Sequence, residues 1–217
     1  LVLVPVVVSG SLKAMLFMSF DREIDLGVGF EEEARLISDL LAIVSDYYRL
    51  KDVVDELERV DAITQVANFK AFHEELYREW IRARESGHTF ALILVHVTGI
   101  KECNDILGHV RGDELLRFVA NTVRSNVRSI DFVARYGSAK FAVILPETDK
   151  ESAVKYAEKI RDSFSMSDWA KQKFPVYLDI SVVAFPEDGE DEKVLLGKLE
   201  SRLVEAMRKK GSDVIYK

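Results

Sequence analysis

The sequence predicts an α/β fold, with a central mixed sheet flanked by helices, preceded by a β-hairpin and a long helix. Three observations lead to this prediction. Two apolar, β-branched runs stand near the N-terminus with a serine and glycine turn between them. A stripe of apolar residues at helical spacing follows within residues 31–60. From residue 61 onward, helical and strand-like segments alternate, and the run at residues 90–97 is apolar almost throughout.

Composition and charge exclude some classes of function. With 48% hydrophobic residues, a chain of 217 residues can build a substantial core. A net charge of -7 disfavours a protein that binds a phosphate backbone, so we expect no nucleic-acid partner. Cys103 is the single cysteine and has no cluster of Cys or His around it in the sequence. This usage favours a reducing compartment and predicts a cytoplasmic location.

The two N-terminal runs, residues 3–8 and 12–20, flank a Ser-Gly-Ser turn at residues 9–11, which is typical of a hairpin. The first run is too short to span a bilayer, contains Pro5 and follows no basic region. We therefore expect neither a membrane segment nor a signal peptide in this sequence. Because two strands alone are only marginally stable, we expect them either to be the last part of a larger sensor-type domain or to pair with another chain.

The long helix carries a candidate dimer seam. Its apolar residues recur at alternating steps of three and four, and Lys51 interrupts one position. The seam consists of Ile37, Leu40, Val44, Tyr47 and Val54. Such a stripe is compatible with a homodimer through the helix at residues 31–60 and equally with packing of the helix on its own domain.

The remaining elements follow in an α/β order. Asn68 begins an amphipathic helix that Gly87 ends, and the apolar run at 90–97 is predicted to be a buried central strand. A tight turn at residues 136–140 separates two short strands, which predicts an antiparallel hairpin inside the sheet. The predicted helices are 68–84, 101–107, 112–127, 150–164 and 192–209, and the predicted strands are 90–97, 132–135, 141–145, 176–185 and 213–216.

Several motifs recur at matched spacing in residues 61–217. Residues 96–105 read His-Val-Thr-Gly-Ile-Lys-Glu-Cys-Asn-Asp, and residues 108–116 read Gly-His-Val-Arg-Gly-Asp-Glu-Leu-Leu. An Arg-x-x-Asp pair precedes a tight hairpin turn. With Asp61, Thr64 and Asn68 as an entry motif, this region resembles the GGDEF family of diguanylate cyclases. That family condenses two GTP molecules into cyclic di-GMP on a fold similar to nucleotide cyclases and polymerase palms. Residues 1–30 resemble the closing strands of a GAF sensor domain.

The resemblance implies a metal site that this sequence does not preserve. The family places its metal carboxylates at the end of the central strand and in the signature turn, and here those positions hold His96 and Ala139. Mg²⁺ prefers carboxylate oxygens, so neither residue replaces them. The signature turn reads Gly137, Ser138, Ala139, Lys140 and Phe141 instead of Gly-Gly-Asp-Glu-Phe. The C-terminal phosphate motif is also altered, at residues 207–213. We therefore expect no catalytic residues, no metal and no cyclase activity.

The resemblance also implies three substrate-binding positions that persist. Asn104 and Asp113 occupy the guanine-reading places, and Lys101 stands where a lysine faces the phosphates. An amide and a carboxylate can satisfy the acceptor and donor edges of guanine. The alternative is that Asn104 and Asp113 act only as helix caps or turn residues.

The Arg-x-x-Asp pair, Arg128 and Asp131, lies five residues before the signature turn, where the family has an inhibitory site for intercalated cyclic di-GMP. Arg offers paired donors to guanine or phosphate, and Asp accepts from the guanine N1 and N2 groups. By the same resemblance a second arginine completes the site, and Arg161 is the candidate. The alternative is a surface ion pair without a ligand.

These inferences predict a catalytically inactive GGDEF-like domain that binds cyclic di-GMP and acts as a receptor or regulator. Two alternatives stay open, namely a nucleotide-independent dimerisation module and a residual cyclase in which water or backbone carbonyls hold Mg²⁺. The expected organisation is a GAF-like fragment at 1–30, a signalling helix at 31–60 and a degenerate GGDEF domain at 61–217. We expect cyclic di-GMP or GTP as the ligand and no cofactor unless residual cyclase activity requires Mg²⁺.

Overall fold

The computed structural model describes residues 2–8, 11–19, 21, 27, 29–57, 59–209 and 214–216. The chain divides into two compact units, Leu1–Glu58 and Arg59–Lys217. The first contains β1 (Val2–Val8), β2 (Ser11–Met18) and α1 (Phe30–Leu57). The second contains α2 (Phe69–Ser86), β3 (Phe90–Thr98), α3 (Ile100–Leu107), α4 (His109–Ser125), β4 (Phe132–Gly137), β5 (Lys140–Pro146), α5 (Lys150–Ser165), β6 (Tyr177–Phe185), α6 (Glu192–Lys209) and β7 (Val214–Ile215).

In the first unit, β1 and β2 pair antiparallel, as the two apolar runs predict. The predicted turn residues Ser9 and Gly10 lie outside the described part of the chain. Helix α1 packs on β1, where it buries Ala34 and Ser38, and the Ser38 hydroxyl donates to the carbonyl of Pro5. All five residues of the seam on α1 remain exposed. The first unit therefore does not bury the seam.

The second unit is built on a five-stranded sheet in the order β4-β5-β3-β6-β7. The pairs from β4 to β6 are antiparallel, and β6 pairs parallel with β7. The sheet is therefore mixed and contains the predicted hairpin, which confirms the fold class. Residue 213, the predicted start of the last strand, lies outside the described residues.

Helices cover both faces of this sheet, which explains why its central strand is apolar almost throughout. Residues Leu92 and Leu94 of β3 pack in a core with α2 and α6, and the alternate residues Ile93 and Val95 pack in a core with α4 and α5. The sheet end beyond Leu94 carries the predicted nucleotide positions. Among the described residues, no helix has the length and apolar character to span a membrane.

Local signals position the helices next to this sheet end. The Asn68 side chain caps α2 by accepting from the Ala71 N–H, and Gly87 ends the helix in the left-handed conformation. Helix α4 begins at His109 rather than at the predicted residue 112. Gly112 lies inside α4, and an ideal Cβ there would stand 1.8 Å from Asn104 Oδ1. A larger residue at this position would therefore displace the Asn104 amide, so the glycine marks a side-chain contact and not a helix boundary.

Candidate nucleotide sites

The backbone frame of the signature turn is retained. Arg135 donates through Nε to the Gly137 carbonyl at 3.2 Å and through Nη2 to the Ser138 carbonyl at 2.8 Å. Its Nη1 reaches the carboxylate of Asp61 at 3.0 Å, and Asp61 also accepts from the backbone N–H and hydroxyl of Thr64. Burial opposes ionisation of Asp61, but these hydrogen bonds outweigh it and lower the pKa of the carboxyl. Hydrogen bonds from Arg135 therefore link the entry motif to the signature turn.

At the positions where the resemblance places the metal carboxylates, the structure has a hydrogen-bonded network. Lys140 on β5, His96 on β3 and Asp179 on β6 are in register and therefore share one face of the sheet. The Thr98 hydroxyl donates to Asp179 Oδ2 at 2.7 Å, and His96 Nδ1 lies 3.2 Å from the Thr98 hydroxyl oxygen. Sequence reasoning missed Asp179, because only the pairing of β3 with β6 brings it opposite His96.

These residues do not fit Mg²⁺. Asp179 is fully buried, and its Oδ1 has no hydrogen-bond partner among the described residues. Ala139 is buried in the turn and offers only its carbonyl, which accepts from the Val97 N–H at 2.9 Å. In the part of the chain that the structure describes, no three His, Cys, Asp or Glu side chains form a group that could hold a metal ion. Mg²⁺ is usually held by one or two protein carboxylates while waters and phosphates complete its shell, and neither position 96 nor position 139 supplies a carboxylate.

The predicted guanine-reading residues lie on two contacting helices, α3 and α4. Asn104 packs its side-chain amide against Gly112, which directly precedes Asp113. Neither side chain caps a helix, since Gly99 and Gly108 hold the N-cap positions of α3 and α4 without a side-chain bond. The structure thus argues against the capping alternative. Within the described residues, the side chains of Asn104, Asp113 and Lys101 form no hydrogen bond or ion pair with other side chains.

The C-terminal phosphate motif is described only in part. Met207, Arg208 and Lys209 form the exposed end of α6, and residues 210–213 lie outside the described part of the chain. The prediction that this motif is altered therefore rests on its sequence.

The Arg-x-x-Asp pair forms a bidentate ion pair. Arg128 contacts the Asp131 carboxylate through Nε at 3.1 Å and Nη2 at 2.7 Å, and its backbone N–H donates to the same carboxylate at 2.6 Å. Nη2 also donates to the carbonyl of Pro146 and to the hydroxyl of Thr148. The Asp131 side chain is fully buried, whereas that of Arg128 is 37% exposed. The hydrogen bond to Asp131 raises the pKa of Arg128 above its usual value. Asp131 therefore orients a partly exposed guanidinium.

A groove of about 530 Å³ lies beside this pair. Arg128 and Asp131 line it together with Arg124 of α4, Ser129 and Gln65 of the entry segment. Arg124 is exposed and has no ion-pair partner among the described residues. Two arginine side chains that line one groove can bind an anionic ligand.

The predicted third member, Arg161, lies on α5 and pairs with its neighbour Asp162 through Nε at 2.9 Å. It is not among the residues that line the groove. No contact among the described residues joins it to Arg128 or Asp131. Its role in the site stays a prediction.

Comparison with known proteins agrees with this fold. The family described as "Diguanylate cyclase, GGDEF domain" matches residues 58–213. The response regulator PleD of Caulobacter vibrioides is 31% identical over 166 residues, which cover 75% of this chain and 37% of PleD. The diguanylate cyclase DosC of Escherichia coli is 34% identical over 116 residues, which cover 52% of this chain and 25% of DosC. The chain thus spans only a part of each relative.

Solved structures show the same architecture. The GGDEF domain of YfiN from Pseudomonas aeruginosa superposes with a TM-score of 0.66 at 28% identity, covering 72% of this chain and 93% of that domain. The GGDEF domain of DgcB from Caulobacter crescentus, solved in complex with c-di-GMP, gives 0.66 at 26% identity, with 73% and 95% coverage. Because the family match covers well over half of the sequence, this chain belongs to the GGDEF family of diguanylate cyclase domains.

Proposed function

We propose that this chain is a catalytically inactive GGDEF domain that binds cyclic di-GMP at Arg128 and acts as a receptor in signal transduction. The observation that carries the proposal is the orientation of the Arg128 guanidinium by buried Asp131 at the edge of a groove that also contains Arg124. Nε and Nη2 of this guanidinium are bonded within the protein, whereas Nη1 has no partner among the described residues and can donate to a phosphate oxygen or a guanine acceptor without further ordering. The complex of the DgcB GGDEF domain with c-di-GMP supports the ligand class.

Asp131 does not contact the ligand in this proposal, although a free carboxylate could accept from guanine N1 and N2. Its carboxylate is buried and already accepts from Arg128, so it cannot accept from guanine unless Arg128 moves away. We assign Asp131 to positioning Arg128, and we assign the direct ligand contacts to Arg128 and Arg124. Arg161 remains a proposed contributor from α5.

The proposed lack of cyclase activity follows from the residues at the two metal-carboxylate positions. His96 is bonded through Nδ1 to Thr98, and Ala139 has no side-chain oxygen. Metal activation of the attacking hydroxyl therefore lacks both of its protein ligands. Incubation with GTP and either Mg²⁺ or Mn²⁺ tests this part. We expect no cyclic di-GMP and no pyrophosphate, and formation of either product would contradict it.

Calorimetric titration with cyclic di-GMP tests the receptor proposal. Arg128→Ala and Arg124→Ala should each weaken binding about tenfold or more, since each removes a charge-assisted contact. Arg78→Ala is the matched control, because Arg78 is an exposed arginine on α2 whose pairs with Glu74 and Glu75 lie outside the groove. Equal affinity of Arg128→Ala and Arg78→Ala would overturn the proposal.

The exposed seam on α1 favours a second element of function, namely homodimerisation. Ile37, Leu40, Val44, Tyr47 and Val54 are each between 48% and 63% exposed. An apolar stripe of this length on one helix is typical of a coiled-coil interface. The DgcB fragment described as a coiled coil and GGDEF domain covers 84% of this chain at 25% identity and a TM-score of 0.66. We propose that two copies of α1 pair and thereby link nucleotide binding to a partner signal.

A further inference from the structure

The entry segment forms part of the groove beside Arg128. Its residues 65–67 line that groove. The Ala67 N–H donates to the Val133 carbonyl at 3.2 Å, and the Ala67 carbonyl accepts from the Arg135 N–H at 2.7 Å. Because these two bonds attach the segment to β4, a side chain of the segment that lines the groove is held by a rigid element of the domain.

Gln65 has a backbone conformation that few side chains adopt. Its φ is +58°, in the left-handed region that favours glycine, and its N–H donates to the Asp61 carbonyl at 2.9 Å. Residues other than glycine pay a free-energy cost in this conformation and cluster at ligand sites. Among the described residues, the only other example is Glu147, which adjoins Thr148, an acceptor for Arg128 Nη2. Both strained positions therefore lie next to the Arg128 site.

The Gln65 side chain is oriented by one hydrogen bond and keeps one polar atom unused. Its Nε2 donates to the Ala62 carbonyl at 3.0 Å. A carbonyl oxygen can only accept, so this bond identifies Nε2 as the bonded atom and Oε1 as the other. Oε1 has no hydrogen-bond partner among the described residues, and Gln65 is exposed. The groove therefore contains an oriented acceptor that no described residue uses.

Guanine requires an acceptor of this kind, because its N1–H and N2–H₂ groups are donors. The Asp131 carboxylate cannot serve, since it is buried and bonded to Arg128. Among the other polar side chains that line the groove, Arg124 and Arg128 only donate, and the Ser129 hydroxyl can do either. Gln65 Oε1 is therefore the accessible side-chain atom of this groove that can only accept.

We propose that Gln65 determines the base specificity of the Arg128 site, with its Oε1 accepting from N1–H or N2–H of guanine. Adenine has a lone pair at N1 and no amino group at C2, so it offers this oxygen no donor at either position. A site that hydrogen-bonds one base rejects the base that leaves its polar group unpaired. The assignment rests on the proposed receptor function and adds the residue that distinguishes guanine from adenine.

Calorimetric titration with cyclic di-GMP and cyclic di-AMP tests this assignment, because the two ligands share the ribose-phosphate ring and differ only in the base. We expect the wild type to bind cyclic di-GMP about tenfold or more tightly than cyclic di-AMP. Gln65→Gly and Gln65→Met both remove the acceptor oxygen. Each should weaken the binding of cyclic di-GMP about tenfold and leave that of cyclic di-AMP no weaker.

The two variants separate the oxygen from the backbone strain. Gln65→Met keeps the length of the side chain and the strained φ, whereas Gln65→Gly relaxes the backbone and should melt no lower than the wild type. Gln172→Gly is the matched control, because Gln172 is the other glutamine of the chain and donates to the Asp168 carbonyl outside the groove. It should keep the wild-type preference for cyclic di-GMP.

Equal affinity of the wild type for the two dinucleotides would overturn the assignment. A wild-type preference that persists in folded Gln65→Met, as it should in Gln172→Gly, would overturn it as well. In both cases the receptor proposal stands if Arg128→Ala still weakens the binding of cyclic di-GMP. If the folded wild type binds neither dinucleotide, the receptor proposal and the assignment of Gln65 are both wrong.

Discussion

The Asp131 carboxylate is fully buried and accepts from both the guanidinium and the backbone N–H of Arg128, which leaves that guanidinium partly exposed in a fixed orientation. The pair joins the end of the segment after α4 to the end of β5, since Arg128 also donates to the Pro146 carbonyl. One buried acid thus contributes both to the stability of the domain and to the geometry of the proposed ligand site.

Removal of Asp131 should therefore destabilise the domain. Asp131→Ala leaves the Arg128 donors only partly satisfied, and we expect a loss of about 2 kcal/mol in the free energy of unfolding. Urea denaturation measures this loss in the free energy of unfolding. Glu151→Ala is the control, because its pair with Lys155 is exposed, and it should change stability by less than about 0.5 kcal/mol. Similar values for the two variants would contradict the structural role of Asp131.

Acid should weaken a second buried cluster around Asp188. Burial opposes ionisation of this carboxyl, but Arg202, the Ala184 N–H and Lys150 outweigh it and lower its pKa from 3.8 to about 2. The folded state therefore binds the proton less readily than the unfolded chain, and the resulting stability is present above pH 3.8 and disappears as the pH falls to about 2.

The variant Asp188→Asn isolates this contribution. At neutral pH we expect it to be less stable than the wild type by about 2 kcal/mol, and this difference should shrink as the pH falls from about 4 to about 2. Chemical denaturation across that range provides the measurement. If the stability difference stays constant across this pH range, the ionised Asp188 carboxylate is not the source of the wild type's extra stability.

A charge in the seam of α1 should prevent association. Val44→Glu places a carboxylate in the centre of the apolar stripe, where a dimer would bury it, so we expect monomers at concentrations where the wild type is dimeric. Sedimentation velocity distinguishes monomers from dimers. Ser45→Glu adds the same charge next to the seam on an exposed position and should remain dimeric. A monomeric wild-type protein, or a dimeric Val44→Glu variant, would show that the seam is not a dimer interface.

Two carboxylates should recreate a cation site. In the double variant His96→Asp/Ala139→Asp, the acid at position 96 would face Asp179 across the β3–β6 pair, so repulsion should lower stability without metal. Mg²⁺ should relieve that repulsion and raise the melting temperature of this variant but not of the wild type. The control Asn121→Asp/Ser201→Asp adds two exposed acids on α4 and α6. An equal Mg²⁺ response in the control would exclude a specific site.

The sequence was sufficient to predict the fold because its periodicities are strong and agree with one another. The nearly unbroken apolar run of β3 required cover on both faces, and the structure has helices on both. The start of α4 was predicted three residues late because Gly112 has the form of a boundary signal. Gly112 instead marks the contact with Asn104. That contact depends on the packing of α3 against α4, which local sequence rules do not predict.

The candidate sites were predictable only in part, for a similar reason. His96, Ala139 and Arg128 could be found from spacing within single segments. Asp179 comes from a strand more than eighty residues beyond His96 and becomes relevant only through strand register. Arg124 was missed because an exposed helical arginine has no sequence signal of its own, and only the groove beside Arg128 distinguishes it.

The central claim is that Arg128 forms part of a cyclic di-GMP receptor site, and calorimetric titration of cyclic di-GMP into the wild type and Arg128→Lys tests it most directly. The lysine keeps the charge but cannot pair with Asp131 and also offer a donor in the place of Nη1, so we predict saturable binding to the wild type and affinity reduced about tenfold in the variant. No heat of binding to a folded wild-type protein, or equal affinity for both proteins, would contradict the claim.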